Sequence, residues 1–440
     1  MRLVRARLFC GALLLCAGGG DPALAQDADA AAEDDPFAAF EEADWEDPWA
    51  EEQQGLDWTG FIETAAGARW SDVPNLDRLT LGEFRVRAET RHVAEQYSID
   101  FKGELLWDQV VTDLDAQLRE LAVSFTPARF MDVKIGRQVL TWGTGDLLFL
   151  NDLFPKDFIS FFAGRDEDYL KSAADTARVS FYTDVVNLDL AWTPDFAPDD
   201  YLYGERFVFW NPALGAPAAP ETPRRAAAPG DDEIALRLFR TVGPTEYAIY
   251  GYDGRWKQPL GADADGRPVF PRLRSWGASV RTPWLQGLFN VETAFYDSLD
   301  DPQGDDPRIP NSELRLLLGY EQELVRNLTG GVQLYAERIS DHDRLVENAP
   351  VPARAREKWR SVATLRLTHR AWRDALTSSL FMFVSPSDED FYLRPSISWR
   401  RDDHWSLSGG VNLFGGREEH TFFGQLEENS NGWVRLRYNY

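Results

Sequence analysis

Period constrains this chain more than any other feature. From Trp58 onward it breaks into segments of about ten residues in which apolar and polar side chains alternate, the length and pattern of a β-strand that crosses a bilayer at a tilt. Eighteen segments can be counted, beginning Trp58–Arg69, Leu81–Arg91, Tyr97–Trp107, Gln117–Phe125 and ending His404–Phe414, Trp433–Tyr440; about sixteen is the fallback for a barrel of this size. Connections after even-numbered segments are short, such as Thr126–Phe130 and Val242–Pro244, whereas those after odd-numbered segments reach Leu140–Asp175 and Pro194–Glu233. Short turns at one end and long loops at the other predict an all-β fold, a transmembrane antiparallel up-and-down β-barrel. A soluble sandwich has no reason to alternate loop length in this way.

Composition agrees. Mean hydropathy is negative, and beyond the N-terminus no apolar run reaches the about 18 residues that a spanning helix needs. That excludes a helical membrane protein but not a barrel, whose strands average lipid-facing and lumen-facing residues. Sixteen Trp, fourteen Tyr and twenty-seven Phe would supply the aromatic girdles at the two membrane interfaces. At the C-terminus Val434, Leu436, Tyr438 and Tyr440 share one face and Arg435, Arg437 and Asn439 the other. This strand resembles the terminal signal read by the outer-membrane assembly machinery. Left unpaired, such an edge would aggregate.

Residues 1–25 read as a secretory signal peptide: Arg2, Arg5 and Arg7, an apolar core from Leu8 to Ala17, then Ala23-Leu24-Ala25 with cleavage before Gln26. The rival is a lipoprotein modified at Cys16, which the bulky Leu15 opposes. Both cysteines, Cys10 and Cys16, lie in this segment, so disulfides and thiol chemistry are not expected of the mature chain. Residues 26–57 hold thirteen Asp or Glu and no Lys or Arg, the composition of a disordered periplasmic tail. Phe37, Trp45 and Trp49 could make it a docking motif for a periplasmic partner; the alternative is a solvating leader. Residues 58–440 are the expected barrel.

Alternation also sorts the lumen. Glu83, Arg85, Arg87, Glu89 and Arg91 share a face; Arg360, Arg366 and Arg370, then Arg394 and Arg400, then Arg435 and Arg437 repeat the pattern. An Arg facing mid-bilayer lipid costs about 2–4 kcal/mol, so these rows point inward. They either guide anionic solutes as a set or pair with acids such as Glu83, Glu89 and Glu104.

The segment from Leu140 to Ala174 is too aromatic to stand in water and needs an apolar surface, which the inner wall of its own barrel offers. As the third external loop it is expected to fold inward as a constriction. In that reading Trp142, Phe154 and Phe158 pack on the wall, and Asp146, Asp152 and Asp157 meet Arg85, Arg87 and Arg137. The run Gly136-Arg137-Gln138…Trp142-Gly143…Asn151…Pro155…Asp157 resembles a segment of a poorly characterised family of porin-like Gram-negative outer-membrane barrels. Alginate-export-type barrels carry a looser version. The resemblance covers about a tenth of the chain and implies a porin-like barrel, with a weaker implication of export beside an inner-membrane partner.

Other chemistry finds little support. Gly143-Thr144-Gly145 lacks the third glycine of a dinucleotide loop, since Leu148 stands there. The loop at Gly261–Gly266 has Arg272 where a calcium loop needs its bidentate acid. His92, His342, His369, His404 and His420 lack metal-ligand spacing, and His404 beside Ser406 has no third catalytic partner. Neither cofactor, metal nor catalysis is expected, and a net charge of −26 disfavours nucleic acid. Expected partners are the outer-membrane bilayer with its lipopolysaccharide, and the assembly machinery. Three functions remain open: solute passage through a charged, loop-constricted lumen; an export or lipid conduit docked through the tail; and an adhesin displaying the Pro194–Glu233 loop.

Overall fold

Every period-two segment becomes a strand. A computed structural model of the chain describes residues 56–211 and 214–440. The proposed signal peptide, nearly all of the acidic tail, both cysteines, and Phe37, Trp45 and Trp49 lie outside the described residues. Eighteen long strands follow one another in chain order: β1 (Trp58–Arg69), β2 (Leu79–Val93), β3 (Tyr97–Asp108), β4 (Asp113–Ala128), β5 (Met131–Gln138), β6 (Ala174–Phe181), β7 (Asn187–Thr193), β8 (Glu233–Val242) and β9 (Thr245–Arg255). Then come β10 (Arg272–Trp284), β11 (Gly287–Ser298), β12 (Glu313–Val325), β13 (Leu328–Ile339), β14 (Trp359–Ala371), β15 (Leu376–Ser385), β16 (Asp390–Arg400), β17 (Trp405–Gly416) and β18 (Asn431–Asn439). Each pairs antiparallel with its neighbours, and β18 pairs with β1 in the register Ile62↔Tyr438 and Ala66↔Val434. The sheet therefore has no free edge.

At one end the strands are joined by turns of two to five residues; at the other the connection from Thr193 to Glu233 encloses thirty-nine. Strand β4 is longer than its alternation suggested. It starts at Asp113 rather than Gln117, and its register shifts opposite Lys102/Gly103. A bulge of this kind re-aims side chains; here both Arg119 and Glu120 reach lumen partners, Glu104 and Lys134.

The outer face is apolar. Ile62, Phe84, Leu105, Ile249, Trp276, Leu334, Val434 and Leu436 are exposed on it. Exposed aromatics gather near the strand ends: Trp58, Tyr97, Tyr247, Trp284, Trp399 and Trp405 on the short-turn side, and Trp107, Trp192, Trp359 and Phe391 on the long-loop side. Two aromatic belts separated by an apolar band match the interfaces and core of a bilayer. Arg137 departs from expectation. It falls on the parity of Ile135 and Leu121, opposite Asp175, and so stands on the outer face, 3.2 Å from the Asp175 carboxylate. Its neighbours Gly136 and Gln138 take the inward parity instead.

Candidate constriction of the lumen

The 139–173 loop leaves the wall at the Gly136-Arg137-Gln138 run. Gly136 has φ +128°, and the buried Gln138 amide donates to the Thr176 carbonyl at 2.9 Å, tying the loop's two ends together. The chain then crosses the lumen. Thr144 and Asn151 donate main-chain and side-chain hydrogen bonds to the buried Glu292 carboxylate of β11, at 2.7–2.9 Å. Tyr296, on the same strand, donates to Leu150 O at 2.6 Å.

A short helix, α1 (Phe158–Ala163), follows, capped by Asp157, which accepts from Ser160 N at 2.7 Å. The helix places Phe161 and Phe162 against Tyr392 and Phe414 of the facing wall, with ring centroids 5.4–5.8 Å apart. Gly164 ends it with φ +88°; a Cβ there would lie 2.2 Å from the Trp433 ring, so both conformation and space demand glycine. Asn412 and Asn431 each donate to Phe162 O at 3.1 Å.

The charged run Arg165-Asp166-Glu167 then fans out. Arg165 binds Glu83 (Nε–Oε1 2.8 Å) and Asp108 (3.1 Å). Burial works to lower its pKa, but the carboxylates of Glu83, Asp157 and Asp108 outweigh that and raise it, so it stays charged. Asp166 meets Arg437 at 3.1 Å, and Glu167 meets Arg394 at 3.0 Å and Arg366 at 3.3 Å. Tyr169 lies against the guanidinium groups of Arg85 and Arg119, 4.1 and 4.7 Å from its ring centre. Its hydroxyl sits between Arg87 and Glu104, and burial pushes its pKa up to about 12.

The 139–173 loop contacts inward-facing side chains of β11, β14, β16 and β17, but its charges do not pair as the alternation suggests. Asp146 binds Arg366, not Arg85 or Arg87. Asp152 is held by Lys156 at 2.9 Å and Thr141 at 2.7 Å, within the loop itself. Asp157 caps α1 and lies 3.9 Å from Arg165 of the same loop, not beside Arg85, Arg87 or Arg137. Arg85 and Arg87 already own a cross-strand partner, since Arg87 stands opposite Glu104 in the register, and a partner fixed by the sheet costs less ordering than one on a loop. Trp142 meets Phe154 edge-on at 4.9 Å and lies near Tyr250 of the wall, while Phe158 is half-buried beside Phe162. Arg366, Arg394, Arg435 and Arg437 had the right parity but no visible loop partner. The signal that could have found one is the acidic pair directly behind the aromatic helix.

The 194–232 connection, which an adhesin would display, is anchored to the barrel at several points. Arg206 within it is buried, bound to Asp108, and Val208 exchanges hydrogen bonds with Asn429 at 2.8 and 2.9 Å. Its Ala- and Pro-rich composition hid these anchors. Between this connection, the 139–173 loop and β3–β4 lies a cavity of about 320 Å³ whose walls include Asp113, Asp115, Asp157, Arg165 and Arg206. His404 and Ser406 do not form a site: His404 stacks on Tyr438 while Ser406 takes the lumen parity opposite Arg437. No metal-ligand cluster occurs among the described residues.

Because Arg87 is buried beside Glu104, Arg87→Glu should not simply retune selectivity, as its lumen parity first suggests. It replaces one of the three guanidinium groups around Glu104, those of Arg85, Arg87 and Arg119, with a second buried carboxylate, which costs about 3–5 kcal/mol. The expected result is a sharp drop in the temperature at which the folded band on unheated gels is lost. An unchanged melting temperature with altered ion preference would show that Arg87 faces open water instead.

No protein-family model matches the chain, and no curated protein sequence does. Solved structures do. Pseudomonas aeruginosa OccK11 (OpdR) superposes with a TM-score of 0.51 at 10% identity, over 88% of this chain and 95% of that one. Pseudomonas aeruginosa OccK5 (OpdH) gives 0.51 at 12% identity, over 87% and 97%. At such identities the likeness concerns fold alone: the chain is similar to both as a closed antiparallel barrel of eighteen strands.

Proposed function

We propose that this protein is a porin-like channel of a Gram-negative outer membrane, passing small polar solutes through a charged lumen that the 139–173 loop narrows. One observation carries the reading. Water reaches the loop's carboxylates beside the inward-facing arginines: Asp146 and Glu167 are 42% and 44% exposed, which supports a wet passage alongside the loop. Beyond the loop the inward face stays wet and charged, with Lys102, Lys134 and Arg178 half-buried and paired with Glu89, Glu120 and Asp189. An adhesin would not need this. The belts of Trp and Tyr support a bilayer position, and the proposed signal peptide supports export and cleavage before Gln26. Val434 and Leu436 face outward, where an assembly factor could read them.

The test is conductance. Purified, refolded protein in planar bilayers should give discrete current steps in potassium chloride. Electrically silent protein, or recovery in the soluble periplasm, would overturn the reading.

A further inference from the structure

Four guanidinium groups from alternate strands converge on the loop tip: Arg366 of β14, Arg394 of β16, and Arg435 and Arg437 of β18. Each is backed by an aromatic face, respectively Phe381, Phe161, Trp433 and Phe61, at 4.2–4.9 Å. A guanidinium stacked in this way is fixed in plane and offers its edge to an oxyanion. Four carboxylates oppose them. Glu63 is part of the wall and sits 2.7 Å from Arg437. The other three, Asp146, Asp166 and Glu167, belong to the loop.

We propose that this cluster is a binding site for short dicarboxylates, which the loop's own Asp166 and Glu167 occupy as an internal stand-in. The solute class follows from the occupant. Two carboxylates on consecutive residues are held separately, Asp166 by Arg437 with Arg435 3.7 Å away, and Glu167 by Arg394 with Arg366. A free molecule carrying two carboxylates a few bonds apart reproduces that pattern. Exposure agrees with a displaceable occupant: Asp166 and Glu167 are 33% and 44% exposed, whereas Arg394 and Arg435 behind them are 6% and 7%. Arg394 and Arg435 also donate to Arg165 O and Gly164 O, so the backbone would keep the arginines in place when the acids leave. Neutralising both acids leaves four cations against Glu63 and Asp146, two charges short of balance, the charge of one dicarboxylate.

This deepens the channel reading by naming a solute class, and calorimetry separates the two. Succinate is titrated into the detergent-solubilised full-length protein, with Asp166→Asn/Glu167→Gln as the key variant. Expected is succinate binding about tenfold tighter to the variant than to the parent, and its loss when Arg394→Gln is added. If the double variant does not assemble, Glu167→Gln alone keeps the Asp166 anchor and should bind acetate at the vacated Arg366–Arg394 pair. Equal, weak binding by all folded forms overturns the site whether or not the barrel conducts. A silent parent protein in bilayers that still shows the calorimetric difference sinks the channel reading and leaves the site standing.

Discussion

Deleting Asn151 to Phe162 is expected to raise unitary conductance about twofold or more, since the narrowest section governs the resistance of a pore. The excision removes α1, four phenylalanines (Phe154, Phe158, Phe161, Phe162) and the Asn151 contact to Glu292. The charged contacts of Asp146 and of Arg165–Tyr169 remain. The shortened loop would hang from the wall at Thr144 and at Tyr169, with no bulk between them. There is a cost. Phe161 and Phe162 are buried against Tyr392 and Phe414, and losing a buried Phe removes about 1.5–3 kcal/mol of transfer energy each. The variant should therefore lose its folded form at a lower temperature while conducting more. Unchanged conductance from a folded variant would show that the 139–173 loop does not set the narrowest section.

The divided outcome of the sequence reading has a physical cause. Strand number, turn side and lumen parity are local: a period of two and a pair of turn residues within ten positions specify them, so β1 through β18 could be read off. Closure was legible too, because an aromatic strand at an open edge is untenable. Pairing across the lumen is not local. Asp146 meets Arg366 across 220 positions, and nothing near either residue marks the other. Where a partner was local, the near one won, as Lys156 did for Asp152 and Glu104 for Arg87. Arg137 failed for a different reason. Its neighbours Gly136 and Gln138 mark the exit of the loop, and reading the motif as a chemical unit overrode the parity that places Arg137 outside. The Arg206 anchor was hidden in a connection whose alanines and prolines gave no period at all.

Removing Tyr438 to Tyr440 should abolish the folded barrel, the largest effect expected of any small deletion here. Strand β18 has nine residues, and these three positions form its junction with the start of β1. Tyr438 stands opposite Ile62, and Asn439 opposite Phe61. Beyond the strand proper, Tyr440 N donates to Gly60 O at 3.1 Å and Gly60 N to Tyr440 O at 3.2 Å. The Tyr440 hydroxyl donates to Arg87 O at 2.7 Å and lies over Gly60, where a Cβ would come 2.7 Å from the hydroxyl and 2.1 Å from Arg87 O. An aromatic covering a strand glycine restores the cover that the glycine lacks. Tyr438 in turn packs on Trp405 and His404 at 4.9 and 5.4 Å, sealing the short-turn rim. Deletion exposes backbone donors and acceptors of β1 to lipid, where each unsatisfied group costs several kcal/mol, and removes part of the outward face proposed as the assembly signal. The check is the heat-modifiable band in outer-membrane fractions, together with the same assay after refolding in detergent. Loss in both places the fault in closure itself; loss in cells with normal refolding in detergent assigns it to recognition by the assembly machinery. Normal amounts of folded protein in cells would mean that these residues are needed for neither.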